Sequence, residues 1–530
     1  MIGRARGREG DRARGRMLLV GFAIVVGANA MQAQSKSKGA TAARPAAPPA
    51  VALAAITEAD LKRDMFAMAG DDFRGREAGT IDELRASMWV ADRAREAGLQ
   101  PAGDDGSYFQ WWQIRRTRVS DASRVVIGGD TLILWKEAIV LAPMTTVIDK
   151  APIVWVGAAQ GAELAAMDLR DKVVAAELIP PPASGTVTPQ NQNPFGNTAI
   201  NQRRDSLLAR GASAIIFVSG AAPEFDDAYQ RRMQQSIRGT YGVDSARAGN
   251  VPTGGGGRGN VQRQVPQIWV SRAKAAELRE PGATLSLSLA VASFTYPSVN
   301  IVAKVPGTDR VKKDEIVLFS GHQDHDGVRY DVNGDSIWNG ADDNASVAVA
   351  MLAIGRAVVK RPMARTALFV WHGAEERGLL GSRWYSGHPT VKKENIVAVI
   401  NADMIGRNNP DSAALLGVQP PHLNSNALVA AAYQANAMTG KFVIDTSWDN
   451  PRHREGWYFR SDHLPYARAG IPAIMFSTLL HPDYHTPRDN PDRIDIPKLA
   501  RMAKWMYATG WIIGNAPQRP DLVPGFKLER

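Results

Sequence analysis

The sequence predicts an α/β protein: an αβα sandwich around a mainly parallel sheet, with an inserted β-rich module. Three observations predict it. Past Tyr296, apolar strand-like runs at Ile316–Phe319, Ala367–Trp371, Ile396–Ile400 and Pro472–Phe476 alternate with helical runs at Val347–Val359, Asn424–Ala437 and Pro497–Ile513. From about Lys136 to Ser293 that rhythm gives way to short β-rich runs between long Gly/Pro/Asn/Gln tracts. The strand-like runs of the C-terminal half also lead into His-, Asp- or Glu-bearing segments, at the edge where open α/β sheets bind ligands.

In chain order, residues 1–33 read as a signal peptide. An Arg-rich stretch to Arg16 precedes the apolar run Met17–Gly27 and the small-residue site Ala28-Asn29-Ala30, with cleavage expected after Ala30 or Ala33. The apolar run is too short to span a bilayer comfortably, so an exported protein without stable membrane insertion after cleavage is expected, whether periplasmic, secreted or held at the outer surface. This segment holds six Arg against Glu9 and Asp11, a net +4 of the chain's +10. The remainder has no basic run interleaved with aromatics, so no nucleic-acid partner is expected.

Residues 34–55 read as a Lys/Ser/Ala/Pro-rich linker. The first part of the main domain, residues 56–135, opens with a helix over Glu58–Ala69 and a polar loop over Asp71–Gly79. Thr80 and Glu83 then form a capping box for a helix whose apolar stripe is Ile81, Leu84, Met88 and Ala91, closed by Gly98-Leu99-Gln100-Pro101. Trp111-Trp112 reads as packing. The inserted module, residues 136–295, has expected strands at Ala138–Leu141, Pro152–Val156, Lys172–Ala176, Ala214–Val218 and Gln267–Val270, and helices at Asn201–Arg210 and Arg272–Leu278. Pro180–Asn197 and Gly239–Asn260 read as surface loops, and Gly254–Gly257 belongs to no phosphate-binding motif. Residues 296–515 form the second part of the main domain and 516–530 a tail.

All nine histidines lie at or after His322, and there is no cysteine. A metal would therefore be held by His, Asp and Glu from the C-terminal half. His322 and Asp324, two apart in extended chain, point the same way, as suits an imidazole held by a carboxylate. Asp342 and Asp343 stand at a helix start. Glu375 and Glu376 follow the strand Ala367–Trp371, and such a pair can divide labour, one ligating metal while the other moves a proton. Asp403 and His485 follow the next two strands. The ordered set of His, Asp, Glu-Glu, Asp and His at one sheet edge predicts a dinuclear metal site. His325, His372, His388, His422 and His453 read as surface or packing residues, and His463 and His481 as candidates for support of the site. Asp331–Asp335 opens like an EF-hand loop, but its Gly334 is misplaced and a Glu is missing at the twelfth position.

The segments GHQDHDG, GDSIWNGADDNAS, GAEERGLLGS, NADMIGR, SDHLPYARAGIPA and DYHTPRDN resemble the co-catalytic-zinc exopeptidases, clan MH, which include secreted bacterial leucine aminopeptidases and the glutamate carboxypeptidases. MDLRDKVV, LLARGASAIIFV and VPQIWVS make the insert similar to a protease-associated (PA) domain. The resemblance implies a phosphorylase/hydrolase-like fold, peptide substrates and two Zn2+ per chain. It implies one zinc on His322 and Asp403, another on Glu376 and His485, and Asp343 as the bridge. It gives Glu375 the role of general base, Asp324 that of partner to His322, and Tyr484 that of hydrogen-bond donor to the oxyanion. It also implies a cis peptide between Asp343 and Asn344. An aminopeptidase is the expected activity. The alternatives are a carboxypeptidase or dipeptidase on the same scaffold, a one-zinc glutaminyl cyclase, and a metal-free receptor-like binding protein.

Overall fold

The computed structural model describes residues 47–141, 143–182, 192–244 and 264–529. The signal peptide expected over 1–33, the linker up to residue 46 and the glycine run Gly254–Gly257 lie outside the described residues. The end of that expected linker is not linker at all. Ala50–Leu53 forms a helical turn with Ala52 fully buried, packed on the helix Ser346–Lys360.

Among the described residues, ten strands form the main sheet. Its centre is parallel: Ala473–Ser477, Ile396–Ala402, Ile316–His322 and Thr366–His372, in that order. All four are buried along their length, as strands covered on both faces must be. The flanks are antiparallel, with Ser412–Leu416 on one side and the long pair Val291–Val305 and Phe109–Val119 on the other. The sheet is thus mixed rather than mainly parallel. The antiparallel strands escaped the periodicity because polar residues alternate along them, as in Phe109–Val119 with its Gln, Arg and Thr.

Helices Ser346–Lys360 and Ile496–Asn515 lie on one face, with Glu58–Met68 and Asn426–Met438 packed against them. Leu380–Gly387 and His463–Arg468 cover the other, through Tyr385 and Tyr466 on Leu318, Leu368 and Val370. This is an αβα sandwich. The tail from residue 516 is tied down, Val523 N–H donating to Asn424 O at 2.8 Å and Glu529 pairing with His422 at 2.8 Å.

The helix Ile81–Glu96 buries only part of the expected stripe, Ala91 fully and Leu84 in part. Ile81 and Met88 are 61% and 59% exposed, whereas Glu83, Ala86, Ser87, Val90 and Ala94 are buried. Glu83 turns inward because Gly79 N–H and Ser298 Oγ–H donate to its carboxylate at 2.6 and 2.9 Å. Polar groups with dedicated partners override the apolar stripe.

The inserted module builds its own eight-stranded sheet from strands between Arg124 and Leu289. The boundaries expected at 136 and 295 both fall too late: Arg124–Ile127 and Asp130–Leu132 belong to the insert's sheet, and Val291–Val305 to the main one. Val119 pairs with Val291, so the insert hangs from the tip of a hairpin. Part of the expected loop 239–260 is instead the strand Thr240–Val243. It follows the helix Glu224–Arg238 and adds to the main sheet beside Phe109–Val119.

Candidate metal centre

The strand Ile316–His322 delivers His322, fully buried, at the carboxyl edge of the sheet. On either side, Thr366–His372 leads to Glu375-Glu376 and Ile396–Ala402 to Asp403, while Ala473–Ser477 leads by a longer loop to His485. Backbone amides are pinned by carboxylates behind the site. Asp324 accepts from Glu375 N–H at 3.0 Å and Glu376 N–H at 3.3 Å, and Asp489 accepts from Asp342 and Asp343 N–H at 3.1 Å. Gly340 has φ 57°, and a Cβ there would collide with the Asp343 carbonyl and the His325 ring. The Asp343-Asn344 peptide is cis, as expected.

Asp343 turns one oxygen to each of two histidines: Oδ1 lies 3.4 Å from His322 Nε2, and Oδ2 lies 3.0 Å from His485 Nε2. Around His322 Nε2 stand Asp403 Oδ2 at 3.7 Å and Glu375 Oε2 at 3.8 Å. Around His485 Nε2 stands Glu376 Oε1 at 3.1 Å, itself 2.8 Å from His325 Nδ1. The side chains therefore form two groups with metal-binding geometry, His322/Glu375/Asp403 and His325/Asp343/Glu376/His485. All five expected metal ligands and the expected base fall in these groups. The donor set fits a borderline cation such as zinc. His322 Nε2, fully buried, has no aligned hydrogen-bond partner among the described residues, as befits a lone pair directed at a cation.

Electrostatics follow from this crowding. Burial works against the His322 imidazolium, yet Glu375, Asp343 and Asp403 raise its pKa well above the ordinary value. His485, buried but facing Glu376 and Asp343, is raised to about 9. Burial opposes ionisation of Glu376 and Asp343, but the adjacent histidines hold both below the usual carboxylate range. Burial dominates at Glu375 and Asp403 and pushes both up. Metal binding here would displace protons from the imidazoles.

Some expected roles shift. His322 Nδ1 is closer to the backbone oxygen of Asp324, at 3.1 Å, than to its carboxylate, at 3.8 Å. Asp324 thus acts chiefly on the Glu375-Glu376 turn. His325, expected as a surface or packing residue, is fully buried in the second group, edge-on to His485 with ring centres 5.2 Å apart. Asp326, missed altogether, lies 3.2 Å from His485 Nδ1 and is gripped by Arg377 at 3.3 Å, by Arg329, and by Arg238 of the insert at 3.4 Å. The HQDHDG stretch held the signal, since Asp326 follows Asp324 by two. Arg76 was also missed, in the segment read as a polar loop. It is fully buried and donates to the backbone oxygens of Met68, Gln323, Asn339 and Gly340 at 2.7–2.9 Å, joining the strands' ends behind the site. His481 Nε2 approaches Asp342 at 3.5 Å, a supporting position. His463 is buried against Tyr458, and burial pulls its pKa to about 3.

The two groups open on a cleft of about 540 Å³. Asp343, Glu375, Glu376 and Asp403 form its floor, and Leu379, Met404, Trp457, Phe459 and Leu464 supply apolar wall. Tyr484 lines it too, its hydroxyl accepting from Arg460 at 2.9 Å. Among the described residues, none lining this cleft comes from the insert.

Residues 300–510 match the model of peptidase family M28. A probable leucine aminopeptidase 1 of Trichophyton verrucosum is 29% identical over 252 residues, which are 44% of this chain and 64% of the relative. Aminopeptidase YwaD of Bacillus subtilis is 27% identical over 267 residues, 49% of this chain and 54% of that one. The chain thus spans less than two thirds of the length of these curated relatives. Among solved structures, the zinc aminopeptidase BSAP of Bacillus subtilis aligns over 89% of this chain and 99% of its own, with TM-score 0.54 and 18% identity, which shows a shared fold. Residues 300–510 thus carry the sequence of peptidase family M28, and most of the chain shares the fold of a zinc aminopeptidase.

Proposed function

We propose that the protein is an exported, zinc-dependent aminopeptidase that hydrolyses N-terminal residues from peptides. One observation carries this reading: a single carboxylate, Asp343, presents one oxygen to His322 and the other to His485, each histidine with further acidic donors beside it. In this reading His322 and Asp403 would hold one zinc, Glu376 and His485 the other, and Asp343 would serve both. His325, within reach of the second group, is a further candidate ligand. Bound zinc would supply Lewis acidity toward the scissile carbonyl and a water made easier to deprotonate.

Glu375 takes the proton from the attacking water. Burial raises its carboxyl, which suits a group that must accept a proton and then release it to the departing amine. Tyr484, held by Arg460, would donate its hydroxyl hydrogen toward the developing oxyanion. The carboxylates of the floor favour a free α-ammonium on the substrate. Names of relatives, leucine aminopeptidase and zinc aminopeptidase, support the same reaction and metal. The signal-like N-terminus supports export, and the sequence of the insert supports a PA-like module.

The test is metal analysis of the purified protein together with a panel of aminoacyl fluorogenic substrates, with and without chelator. About two zinc per chain and chelator-sensitive release of N-terminal residues are expected. Less than about one zinc per chain favours a binding protein or a one-zinc cyclase. Activity only on N-blocked or C-terminal substrates overturns the aminopeptidase reading.

A further inference from the structure

We propose that Glu529 and His422 form a proton-operated latch, by which the C-terminal segment braces the aromatic wall of the cleft and sets the enzyme's affinity for its substrate. Both are positioning residues outside the metal centre. That the braced wall meets a peptide rests on the peptidase reading above.

His422, expected from sequence as a surface or packing residue, is buried between two carboxylates. Its Nδ1 lies 2.8 Å from Asp449 Oδ1 and its Nε2 lies 2.8 Å from Glu529 Oε1. An ionised carboxylate only accepts, so both contacts are hydrogen bonds only while both ring nitrogens carry protons. The geometry therefore selects the imidazolium. Burial works against that charge, but Asp449 and Glu529 outweigh it and raise the pKa above the ordinary imidazole value. Tyr458 stacks on the ring with centres 4.1 Å apart, and burial keeps its hydroxyl protonated. His463, edge-on to Tyr458, is kept neutral by burial. Arg468 of the helix His463–Arg468 and Tyr433 of the helix Asn426–Met438 lie near enough to interact with Tyr458 and Asp449, respectively.

The two carboxylates differ in freedom. Asp449 is fully buried and also accepts from the N–H groups of Gly417, Val418 and Gln419 at 3.0, 2.8 and 2.8 Å. Glu529 is 32% exposed and sits on the tail. When pH rises through the raised pKa of His422, one N–H remains; Asp449 keeps it, and Glu529, left facing a lone pair, is released. The tail stays tied further back, where Val523 N–H donates to Asn424 O at 2.8 Å, so release is confined to the residues beyond. Those residues brace the cleft from behind. Leu528 packs on Tyr458 and its apolar cluster, which includes Leu379, Met404, Trp457 and Leu464, all four lining the cleft. Phe459, edge-on to His422 at 5.4 Å, lines it too, and Arg460 carries the contact on to the Tyr484 hydroxyl at 2.9 Å. An apolar wall holds ground state and transition state alike, so loosening it acts on KM rather than kcat.

Glu529→Gln and Glu529→Ala separate the protonation step from the contact itself. The Gln amide accepts from an imidazolium through Oε1 and donates to a neutral ring through its Nε2–H, so that variant should stay latched across the range. With the zinc-loaded full chain and a leucyl fluorogenic substrate, KM should rise between about pH 6 and about pH 9 by roughly 3-fold more in wild type than in Glu529→Gln, with kcat following the same course in both. Glu529→Ala should show the higher KM at every pH. Hydrogen exchange at the Phe459 and Arg460 amides, bonded to Gly456 O and Trp457 O, reads the wall directly. Corrected for intrinsic exchange chemistry, it should be roughly 10-fold faster with the latch open, the scale of one charge-assisted hydrogen bond. The same pH course of exchange in all three proteins overturns the proposal, and so does a change in kcat with KM unmoved. If the leucyl substrate is not cleaved, the aminopeptidase reading fails and exchange alone decides on the latch. Protection lost with rising pH in wild type but kept in Glu529→Gln upholds it, and equal protection in all three refutes it.

Discussion

Replacing Arg76 with Met should destabilise the protein more than almost any other single change behind the metal centre. Arg76 donates four hydrogen bonds to four backbone oxygens, and these come from segments far apart in sequence, around residues 68, 323 and 339–340. Hydrogen bonds from a charged donor contribute about 1.5–3 kcal/mol each, so the gross loss is about 6–12 kcal/mol. Against this stands the cost of burying the guanidinium, which pulls its pKa down to about 10 and corresponds to roughly 3 kcal/mol. Methionine fills comparable space but leaves the four carbonyls unsatisfied. A net loss of at least about 3 kcal/mol follows, equivalent to a fall of several degrees in thermal midpoint. Differential scanning fluorimetry of wild type, Arg76→Met and Arg76→Lys, each with and without zinc, measures it. Lysine should fall between the two, because one ammonium cannot reach all four oxygens. A Met variant melting within a degree of wild type would refute the reasoning.

Three further outcomes are expected. Glu375→Gln should keep its metal, measured by elemental analysis, while kcat drops roughly 10²–10⁴-fold; retained turnover would show that another group moves the proton. Asp326→Asn should weaken zinc affinity about 10–100-fold in chelator competition by freeing His485 to rotate, and Arg238→Ala should do so to a smaller degree; unchanged affinity in both would remove the link between insert and metal. Glu83, buried and close to the Asp324 charge, has its pKa raised to about 8. Its folded-state value lies above the unfolded one, so the native state binds the extra proton between about pH 4.5 and 8, and stability from this group is lost as pH rises through that window. Thermal midpoints at pH 5 and pH 8 should therefore diverge less in Glu83→Gln than in wild type. A parallel fall in both proteins would show that Glu83 is not the source.

Among the candidate ligands, His322, Glu376 and Asp403 were readable from sequence because they lie at or just past the ends of apolar runs, and a buried strand ending in His, Asp or Glu has few other uses, whereas Asp343, at a helix start, and His485, beyond a longer loop, were placed as ligands by the resemblance. The central parallel strands were readable for the same reason. What escaped was whatever depends on partners distant in sequence. Arg76 looked like a loop residue because its four acceptors are main-chain oxygens, which leave no trace in composition. The burial of Glu83 and Ser87 was not legible because their polar groups are matched by Ser298 and Gln323, more than 200 residues away. His325 resembled its neighbours in a dense polar stretch, and only the fold shows that it turns toward Glu376. The early boundary of the insert was hidden in the short hairpin Arg124–Ile127 and Asp130–Leu132, too brief to show a period.

The insert joins the main domain through the Val119 and Val291 hairpin tip, yet two of its parts reach well past that joint. Thr240–Val243 covers the outer edge of Phe109–Val119 from Ile114 to Thr117, and Arg238 closes on Asp326. Excising residues 120–290 and bridging the gap with a tight turn would look harmless on a topology diagram. It would nonetheless bare the edge of Phe109–Val119 from Ile114 to Thr117 to self-pairing and withdraw one of the guanidiniums that hold Asp326 beside His485. Grafting a foreign module at that tip should meet both difficulties, so the insert and the main domain are structurally interlocked rather than separable parts.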